Sequence, residues 1–153
     1  MRRQKGQSLF EVVLALAIAT IIVVAMVALA ASAVRNTNFS KNKTLATRYS
    51  QEATEWLRGE RDSNFDTFFA RAANPLYCLK SLSWADASIG NCTSGQEILG
   101  TLFKREVGFG RTTVLVGGVP KNMVEAEIKV YWQDAQGIHE VKSVTNFTDW
   151  REI

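Results

Sequence analysis

The feature of this sequence most able to do chemistry is a single carboxylate at the edge of a long apolar run. Glu11 is followed by Val12–Val34, in which Thr20 and Ser32 are the only polar side chains. A helix of this length spans about 30–35 Å, the thickness of the hydrocarbon core of a bilayer. A charged group costs about 2.5–3.5 kcal/mol at the centre of a membrane and less near its surface, so it usually marks a function. We interpret Glu11 as a charge that needs a cationic partner.

A short basic leader precedes Glu11 and ends at Gly6. In an ordinary secretory signal the cleavage site follows a shorter apolar core, whereas here the candidate site, between Gly6 and Gln7, precedes the apolar run. Cleavage there would free the amine of Gln7, one helical turn from Glu11. The positive charges of the leader favour an N-terminus in the cytoplasm and a C-terminal domain across the membrane. Arg35 and other basic residues also follow the run, so the charge bias is not one-sided.

The basic leader ending at Gly6, the glutamate at the fifth position after the cut and the apolar helix together resemble the class III signal peptide of type IV pilins and pseudopilins. The resemblance implies cleavage between Gly6 and Gln7 by a prepilin peptidase and methylation of the Gln7 amine. It also implies that this amine pairs with Glu11 of a neighbouring subunit, with Leu9 and Phe10 in the docking surface. Gln7 stands where the family commonly has phenylalanine or methionine. The alternative is a plain single-pass anchor whose Glu11 lies among lipid headgroups.

The resemblance further implies a structural function, that of a minor pilin or pseudopilin in a type IV pilus or type II secretion-like filament. The expected partners are the membrane, other pilin or pseudopilin subunits and, indirectly, an assembly ATPase and its membrane platform. The helical stretch from Lys43 to Asp62 is similar to that of the minor pilin V and type II secretion minor pseudopilin I group. We expect the protein in the cytoplasmic membrane, N-terminus inside, and then in the filament. The rival is a DNA- or ligand-binding module exported by the same route.

The other reactive side chains do not form a catalytic or metal-binding pattern. The chain has two cysteines, Cys78 and Cys92, and both lie outside the cytoplasm in this orientation. An even number of cysteines outside the cytoplasm favours a disulfide over two buried thiols. Such a bridge contributes about 3 kcal/mol in the chain-entropy description. The cysteine spacing does not suit a CxxC redox centre, and His139 is the only histidine, so no zinc ligand set is available. We expect a structural histidine, no enzyme activity, no cofactor and no metal.

The charge balance argues against a nucleic-acid partner. The chain has 18 basic and 15 acidic side chains, and loss of residues 1–6 leaves 15 of each sign. No dense basic stripe is evident, and such a stripe is the usual footprint of nucleic-acid binding. The remaining candidate is a local patch of Lys104, Arg105 and Arg111, for which a solvated strand edge is the alternative.

These residues must be positioned by a long helix. Apolar residues continue past the membrane at intervals of three and four, which predicts one helix from Ser8 to near Arg61. The apolar positions of its second half are Leu45, Tyr49, Ala53, Trp56 and Leu57. Ser63 is expected to cap a short second helix, with Asp66 reaching back to it, and that helix stops before Pro75.

The rest of the chain predicts an antiparallel sheet. Tyr77–Gly95 is predicted to be loop, and beyond it the apolar period becomes two. The predicted strands are Ile98–Val107, Thr112–Val116, Val124–Trp132 and His139–Phe147, with turns at residues 108–110, 117–118 and 134–137. A helix laid on such a sheet gives an α+β fold, which is also the pilin-like architecture that the resemblance implies. We therefore expect a leader at residues 1–6, a transmembrane or filament-core helix at 7–36 and a globular domain at 37–153.

Overall fold

The structure is a computed structural model that describes residues 9–149. Within them, the helices are α1 (Leu9–Ser63) and α2 (Phe65–Arg71), and the strands are β1 (Leu76–Leu79), β2 (Ala87–Ile89), β3 (Lys104–Val116), β4 (Val119–Asp134) and β5 (Gly137–Thr148). This arrangement confirms the predicted α+β fold with its long N-terminal helix. The chain divides into two compact units between Lys41 and Asn42, and α1 contributes to both.

In the second unit, the C-terminal part of α1 packs on the sheet through mostly small side chains. The buried residues of the helix are Ala46, Ser50, Ala53 and Leu57. Their intervals of four, three and four place them on one face. Leu45, Tyr49 and Trp56 are half-buried beside that face. The predicted positions Ala53 and Leu57 are therefore confirmed. In the first turns of this segment the buried face lies one residue further on, at Ala46 and Ser50.

The five strands form one antiparallel sheet in the order β2-β1-β3-β4-β5. The predicted strands Val124–Trp132 and His139–Phe147 lie within β4 and β5. The connection between β3 and β4 is the two-residue turn Gly117 and Gly118, whose φ angles of +60° and +84° match the turn that suits a twisted hairpin. The turn predicted there is confirmed, and it fixes the register of the longest strand pair.

The hydrophobic core lies between this sheet and the two helices. The sheet supplies Val107, Phe109, Val124, Ala126, Ile128, Val130, Trp132 and Phe147, all buried. Phe68 of α2 is 2% exposed, and its ring meets those of Phe109 and Phe147 edge to face at 5.9 and 5.4 Å. Edge-to-face pairs add to the free energy gained from burial alone. Phe68 therefore anchors α2 to the sheet.

The predicted cap of the second helix is wrong by one residue. Ser63 is the last residue of α1, and Asn64 caps α2 by accepting a hydrogen bond from the backbone N–H of Thr67 at 2.8 Å. Asp66 lies in the first turn of α2, and the capping bond that the structure shows runs from Asn64 to Thr67. Asparagine caps a helix as well as serine does, so the sequence offered two adjacent candidates with equal propensity.

Three predictions about the first strands are also wrong. The segment Tyr77–Gly95, predicted to be loop, contains β2 and all but the first residue of β1. These strands have only three and four residues, too few to show the alternation of apolar and polar side chains that predicts a strand. Residues 108–110 do not turn but lie inside β3, which covers the predicted strand Thr112–Val116 and the last four residues of the predicted strand Ile98–Val107. The first six residues of that prediction are not a strand: they turn, and the backbone N–H of Ile98 donates to the carbonyl of Phe103 at 2.8 Å. The backbone N–H of Phe109 donates to the carbonyl of Pro75 at 2.9 Å, and Gly108 is paired with Glu127. Pairing on both sides holds this glycine-containing segment extended, against its local turn propensity.

The far end of the β3–β4 hairpin extends beyond the other strands. Pairing of β4 with β5 stops at Met123, opposite Thr148, while pairing of β3 with β4 continues to Val116, opposite Val119. We call this two-stranded extension, residues 113–122, the hairpin arm. Within the described residues no third strand pairs with it. Pro120 belongs to β4, and the position of its missing N–H faces away from β3. No strand pairs with that side of the arm within the described residues, and a strand tolerates proline at such an edge.

Candidate assembly site

The first unit presents an apolar helix surface without any covering. Leu9 and Phe10 are 82% and 73% exposed, and the large apolar side chains through Val34 are exposed as well. The helix is long and apolar enough to cross a membrane, and it is the one described helix with that property. A contiguous apolar surface of this size marks a membrane or an interface, because a soluble monomer rarely leaves one in water.

The two polar side chains of the apolar run are satisfied inside the helix. The hydroxyl of Thr20 donates to the carbonyl of Ala17 at 2.8 Å. The hydroxyl of Ser32 accepts from the guanidinium of Arg35 at 3.2 Å. Because neither hydroxyl depends on water, the helix can enter lipid or a packed bundle of helices with little polar desolvation.

Glu11 lies in the first turn of α1 as described, next to Leu9 and Phe10. All three side chains are exposed, so the predicted docking residues form one accessible patch at this end of the helix. Gly6 and Gln7, the predicted cleavage and methylation residues, lie outside the described residues.

The second unit carries the predicted disulfide. Cys78 of β1 is bonded to Cys92, and both are buried. Cys78 is paired with Glu106 of β3, so the bridge lies on the face of the sheet opposite the hydrophobic core. The bridge ties the segment between β2 and β3 across that outer face.

A buried carboxylate, missed by sequence reasoning, joins the disulfide to the sheet. The side chain of Glu106 is 2% exposed, and its Oε1 accepts from the backbone N–H of Cys92 at 2.8 Å and from the hydroxyl of Tyr131 at 2.9 Å. Its Oε2 lies 2.6 Å from the ammonium of Lys129, which is paired with it across β3 and β4. The opposite charges of Glu106 and Lys129 could have predicted this ion pair, but only if the register that places the two residues opposite each other had been known.

These contacts shift the protonation of the group. Burial raises the pKa of Glu106, but the Lys129 ammonium, the Cys92 N–H and the Tyr131 hydroxyl together outweigh it and leave the pKa below its ordinary value. For Tyr131, burial and the adjacent carboxylate both raise the pKa of the phenol. The carboxylate is therefore ionised and the phenol neutral at pH 7, which is the state that the hydrogen bonds require. The network is structural and offers no free proton.

The candidate basic patch does not exist as a surface. Arg105 is 2% exposed and points into the core layer, where it donates to the carbonyl of Tyr49 at 3.3 Å. Burial lowers the pKa of Arg105 to about 10, and the Glu52 carboxylate opposes that shift. Lys104 lies on the opposite face, 3.6 Å from Glu97, and the guanidinium of Arg111 lies over the Phe69 ring. The DNA-binding alternative built on these three residues is wrong, because strand alternation sends Arg105 inward.

His139 has the structural environment expected for it. Its Nε2 lies 2.9 Å from the carboxylate of Asp134, and its ring packs at 5.2 Å from that of Trp132. Burial raises the pKa of Asp134, but the interaction with His139 and the hydrogen bonds from the backbone N–H groups of Gln136 and Gly137 together outweigh it and lower the pKa. Within residues 9–149, no group of three histidine, cysteine or acidic side chains could hold a metal ion.

One accessible cleft of the second unit lies at the other end of the sheet from the hairpin arm. It has a volume of about 340 Å³, and its walls include Leu102, Lys104, Tyr131 and Ile138. The Lys104 ammonium is already paired with Glu97. The Tyr131 hydroxyl is likewise bonded, to Glu106 at 2.9 Å, so both of these polar groups in the cleft wall already have partners.

Taken together, a long apolar helix and a five-stranded antiparallel sheet define the architecture that is typical of pilins. Residues 1–27 match the family model of the prokaryotic N-terminal methylation motif, the class III signal peptide of type IV pilins. No curated protein and no solved structure matches the chain. The motif indicates a pilin-like substrate of a prepilin peptidase, and the single apolar helix fits anchoring in the inner membrane before assembly into a pilus.

Proposed function

We propose that this chain is an assembly subunit, a minor pilin or pseudopilin, of a type IV pilus or a type II secretion-like filament. The observation that carries the proposal is the coincidence of the methylation motif over residues 1–27 with the uncovered apolar surface of α1. Proteins of this kind are generally structural and not enzymatic. The apolar surface serves twice: lipid covers it before assembly, and neighbouring helices cover it in the filament.

Processing removes residues 1–6. The prepilin peptidase cuts between Gly6 and Gln7 on the cytoplasmic side, where the basic leader remains. The Gln7 amine then becomes the new N-terminus and the substrate for methylation. Residues 7–36 form the transmembrane and filament-core helix, and residues 37–153 form the domain across the membrane. The Cys78–Cys92 disulfide supports this orientation, because disulfides form outside the cytoplasm.

Glu11 selects the position of a neighbouring subunit. An ionised carboxylate in an apolar environment is unfavourable until a cation approaches it. The charged Gln7 amine of the adjacent subunit supplies that cation, and it fits only where the two helices are staggered to bring the groups together. Leu9 and Phe10 then pack around the pair and exclude water, which strengthens the attraction. The work of extraction comes from the partners, an assembly ATPase and its membrane platform.

The processing step is tested by intact mass measurement and N-terminal sequencing of the full chain produced together with a prepilin peptidase. The expected product begins at Gln7 and lacks the mass of residues 1–6. A further 14 Da on the N-terminal residue, the mass of one methyl group in place of a hydrogen (about 15 less 1), reports methylation. A product that still begins at Met1 would contradict the proposal at its first step.

The docking step is tested with Glu11→Gln, which keeps the shape of the side chain and removes its charge. We expect normal cleavage but about a tenfold or larger loss of incorporation into filaments, the effect of roughly 1.4 kcal/mol on an association equilibrium. The control is Glu55→Gln, an exposed residue of the same helix that pairs with Arg58 at 2.6 Å. Equal incorporation of the Glu11 and Glu55 variants would overturn the assigned function of Glu11.

A further inference from the structure

Strand β5 forms a long free edge of the sheet. It runs over twelve residues, Gly137–Thr148, and pairs with β4 in one uninterrupted register. Within the described residues no strand pairs with its other side. Among the devices that usually protect an edge, β5 has neither a proline nor a bulge, but it does carry the charged side chains of Glu140 and Lys142.

The hairpin geometry shows which backbone groups face this free edge. Asp134 and Gly137 flank a two-residue turn, and such a turn closes on a hydrogen-bonded pair. Odd-numbered residues of β5 therefore direct their N–H and C=O groups to β4, and even-numbered residues direct theirs outward. The even-numbered residues also carry the side chains on the outer face. Four of them are Ile138, Glu140, Lys142 and Val144, all exposed.

The order of these four side chains is self-complementary. Read forward it is apolar, acidic, basic, apolar, so an antiparallel copy centred on Val141 places opposite charges and matching apolar groups against each other. In that arrangement Glu140 faces Lys142 of the second copy, and Ile138 faces Val144 of the second copy. Ile138 and Val144 are 71% and 57% exposed in the single chain, so they have apolar surface to bury.

We propose that the β5 edge binds a second copy of this chain, strand to strand and antiparallel, with the two-fold axis at Val141. The contact joins two sheets into one through the outward N–H and C=O groups of the even-numbered residues. Two Glu140–Lys142 pairs lie at its centre, and two Ile138–Val144 pairs flank them. On the inner face, the half-buried Val141 side chains of the two copies meet.

The neighbouring registers are disfavoured by the same side chains. A shift of the axis to residue 140 places Glu140 against Glu140 of the second copy and Lys142 against Ile138. A shift to residue 142 places Lys142 against Lys142 and Glu140 against Val144. Like charges directly opposite destabilise strand pairing, whereas opposite charges stabilise it. One register is therefore selected, which a uniformly charged edge could not do.

The contact closes on itself. Because both copies use the same edge, β5 is fully occupied in the pair, and a third copy cannot join through it. The opposite edge of the sheet is β2, which has only three residues. This inference goes beyond the proposed function and does not depend on Glu11, so the two can fail separately.

The charge pairing is tested on the full chain in detergent micelles by measuring the dimer fraction. Glu140→Lys alone and Lys142→Glu alone each convert two attractive pairs into two repulsive ones, and we expect each to lower dimer affinity about tenfold. The chain carrying both substitutions should recover wild-type affinity.

A mixture of the two single variants separates the contact between copies from that within one chain. Within one chain, Lys142 also lies 3.4 Å from Glu140 and 3.6 Å from Glu127, so the single variants disturb these pairs too. In the mixture the repulsion within each chain remains, but every pair between unlike chains is attractive. Recovery of dimers made of one of each variant therefore supports the proposal, and the lack of such recovery overturns it.

Cysteine cross-linking tests the register. The only two cysteines of the chain are joined in the disulfide, so an introduced thiol is the only free one. Val141→Cys should form a disulfide with Cys at the same position of the second copy. The two residues form a non-hydrogen-bonded pair across the axis, and the Cα atoms of such a pair lie about 4.5 Å apart. Ser143→Cys is the control: it is on the same face and half-buried, but the two copies of residue 143 would lie roughly 13 Å apart.

Each outcome of the cross-linking either supports or refutes the proposed register or the contact itself. Efficient coupling of Val141→Cys without coupling of Ser143→Cys supports the axis at Val141. Coupling of Ser143→Cys, or of both variants equally, refutes the register. A wild-type chain that stays monomeric, with neither variant coupling, refutes the contact itself, and β5 is then an edge that its charges keep open or that a different subunit covers.

Discussion

The buried carboxylate of Glu106 gives the sharpest test of how the outer face of the sheet is held. Glu106→Gln keeps the size of the side chain and its acceptor oxygen, so the Cys92 N–H and the Tyr131 hydroxyl can still donate to it. What it removes is the negative charge 2.6 Å from the Lys129 ammonium, and it places an amide N–H₂ there instead. The variant therefore isolates the charge from the packing.

The expected loss follows from these contacts. Hydrogen bonds to a charged acceptor contribute roughly 1.5–3 kcal/mol and neutral ones about 1 kcal/mol, so each of the two hydrogen bonds to Oε1 is weakened by that difference, and the ion pair with Lys129 is lost. Lys129 has 31% of its side chain exposed and can turn toward water, which limits the loss. We expect the free energy of unfolding to fall by about 2–3 kcal/mol. The matched control is Glu127→Gln, whose pair with Lys142 is half-exposed at 3.6 Å and should contribute less than about 0.5 kcal/mol.

Urea unfolding of the full chain in a mild detergent, followed by tryptophan fluorescence, measures both variants. The pH dependence gives a second, independent readout. Since the folded-state pKa of Glu106 is lowered, its contribution is present above the unfolded pKa of about 4.3 and is lost as the pH falls through the lower folded value. The gap between wild type and Glu106→Gln should be constant from pH 7 to 5 and shrink below about pH 4. A difference in unfolding free energy under about 0.5 kcal/mol at pH 7, or a difference that does not change with pH, would refute the reasoning.

Three further predictions concern the core, the bridge and two glycines, and all are measured by urea unfolding. Phe68→Ala should destabilise by about 3–5 kcal/mol because the ring is buried, whereas Phe65→Ala at a half-buried position should cost less than half of that; equal losses would contradict the anchoring of α2. Cys78→Ser should lose about 3 kcal/mol, and reductant should bring the wild type to the same midpoint while leaving the variant unchanged. Gly59→Ala, in a helix with open space at Cβ, should stabilise by about 0.4–1 kcal/mol, whereas Gly118→Ala at φ +84° should destabilise by about 1 kcal/mol; the same sign for both would contradict the backbone argument.

The elements with strong periodicity were predictable from the sequence, and the others were not. The alternation Val124–Trp132 specifies a half-buried strand by itself, and the length of the apolar run specifies α1. Residues 108–110 carry two glycines that favour a turn in isolation, but β4 pairs with all three, and on the other side β1 pairs with Gly108 and the Pro75 carbonyl bonds to Phe109. That outcome depends on residues distant in the sequence, so local propensity could not predict it.

The candidate site divides in the same way. The spacing of Gly6 and Glu11 was sufficient to predict the methylation motif that residues 1–27 match, because that motif is local in the sequence. Arg105 and Glu106 are neighbours in sequence that lie on opposite faces of β3, one under α1 and one beneath the disulfide. Which of the two faces the core follows only from the register. A charged pair in a strand is usually a solvated edge, and here neither member is in solvent.

The hairpin arm, residues 113–122, can change in length without any change in the rest of the sheet. Removing two residues from each of its strands would shorten it by about 7 Å and keep every surviving side chain on its original face. Removing residues from one strand alone would turn the remaining side chains over or leave a bulge. Length variation at this tip is therefore expected in matched steps of two. A subunit of this design can be fitted to partners at different distances without any change in its core.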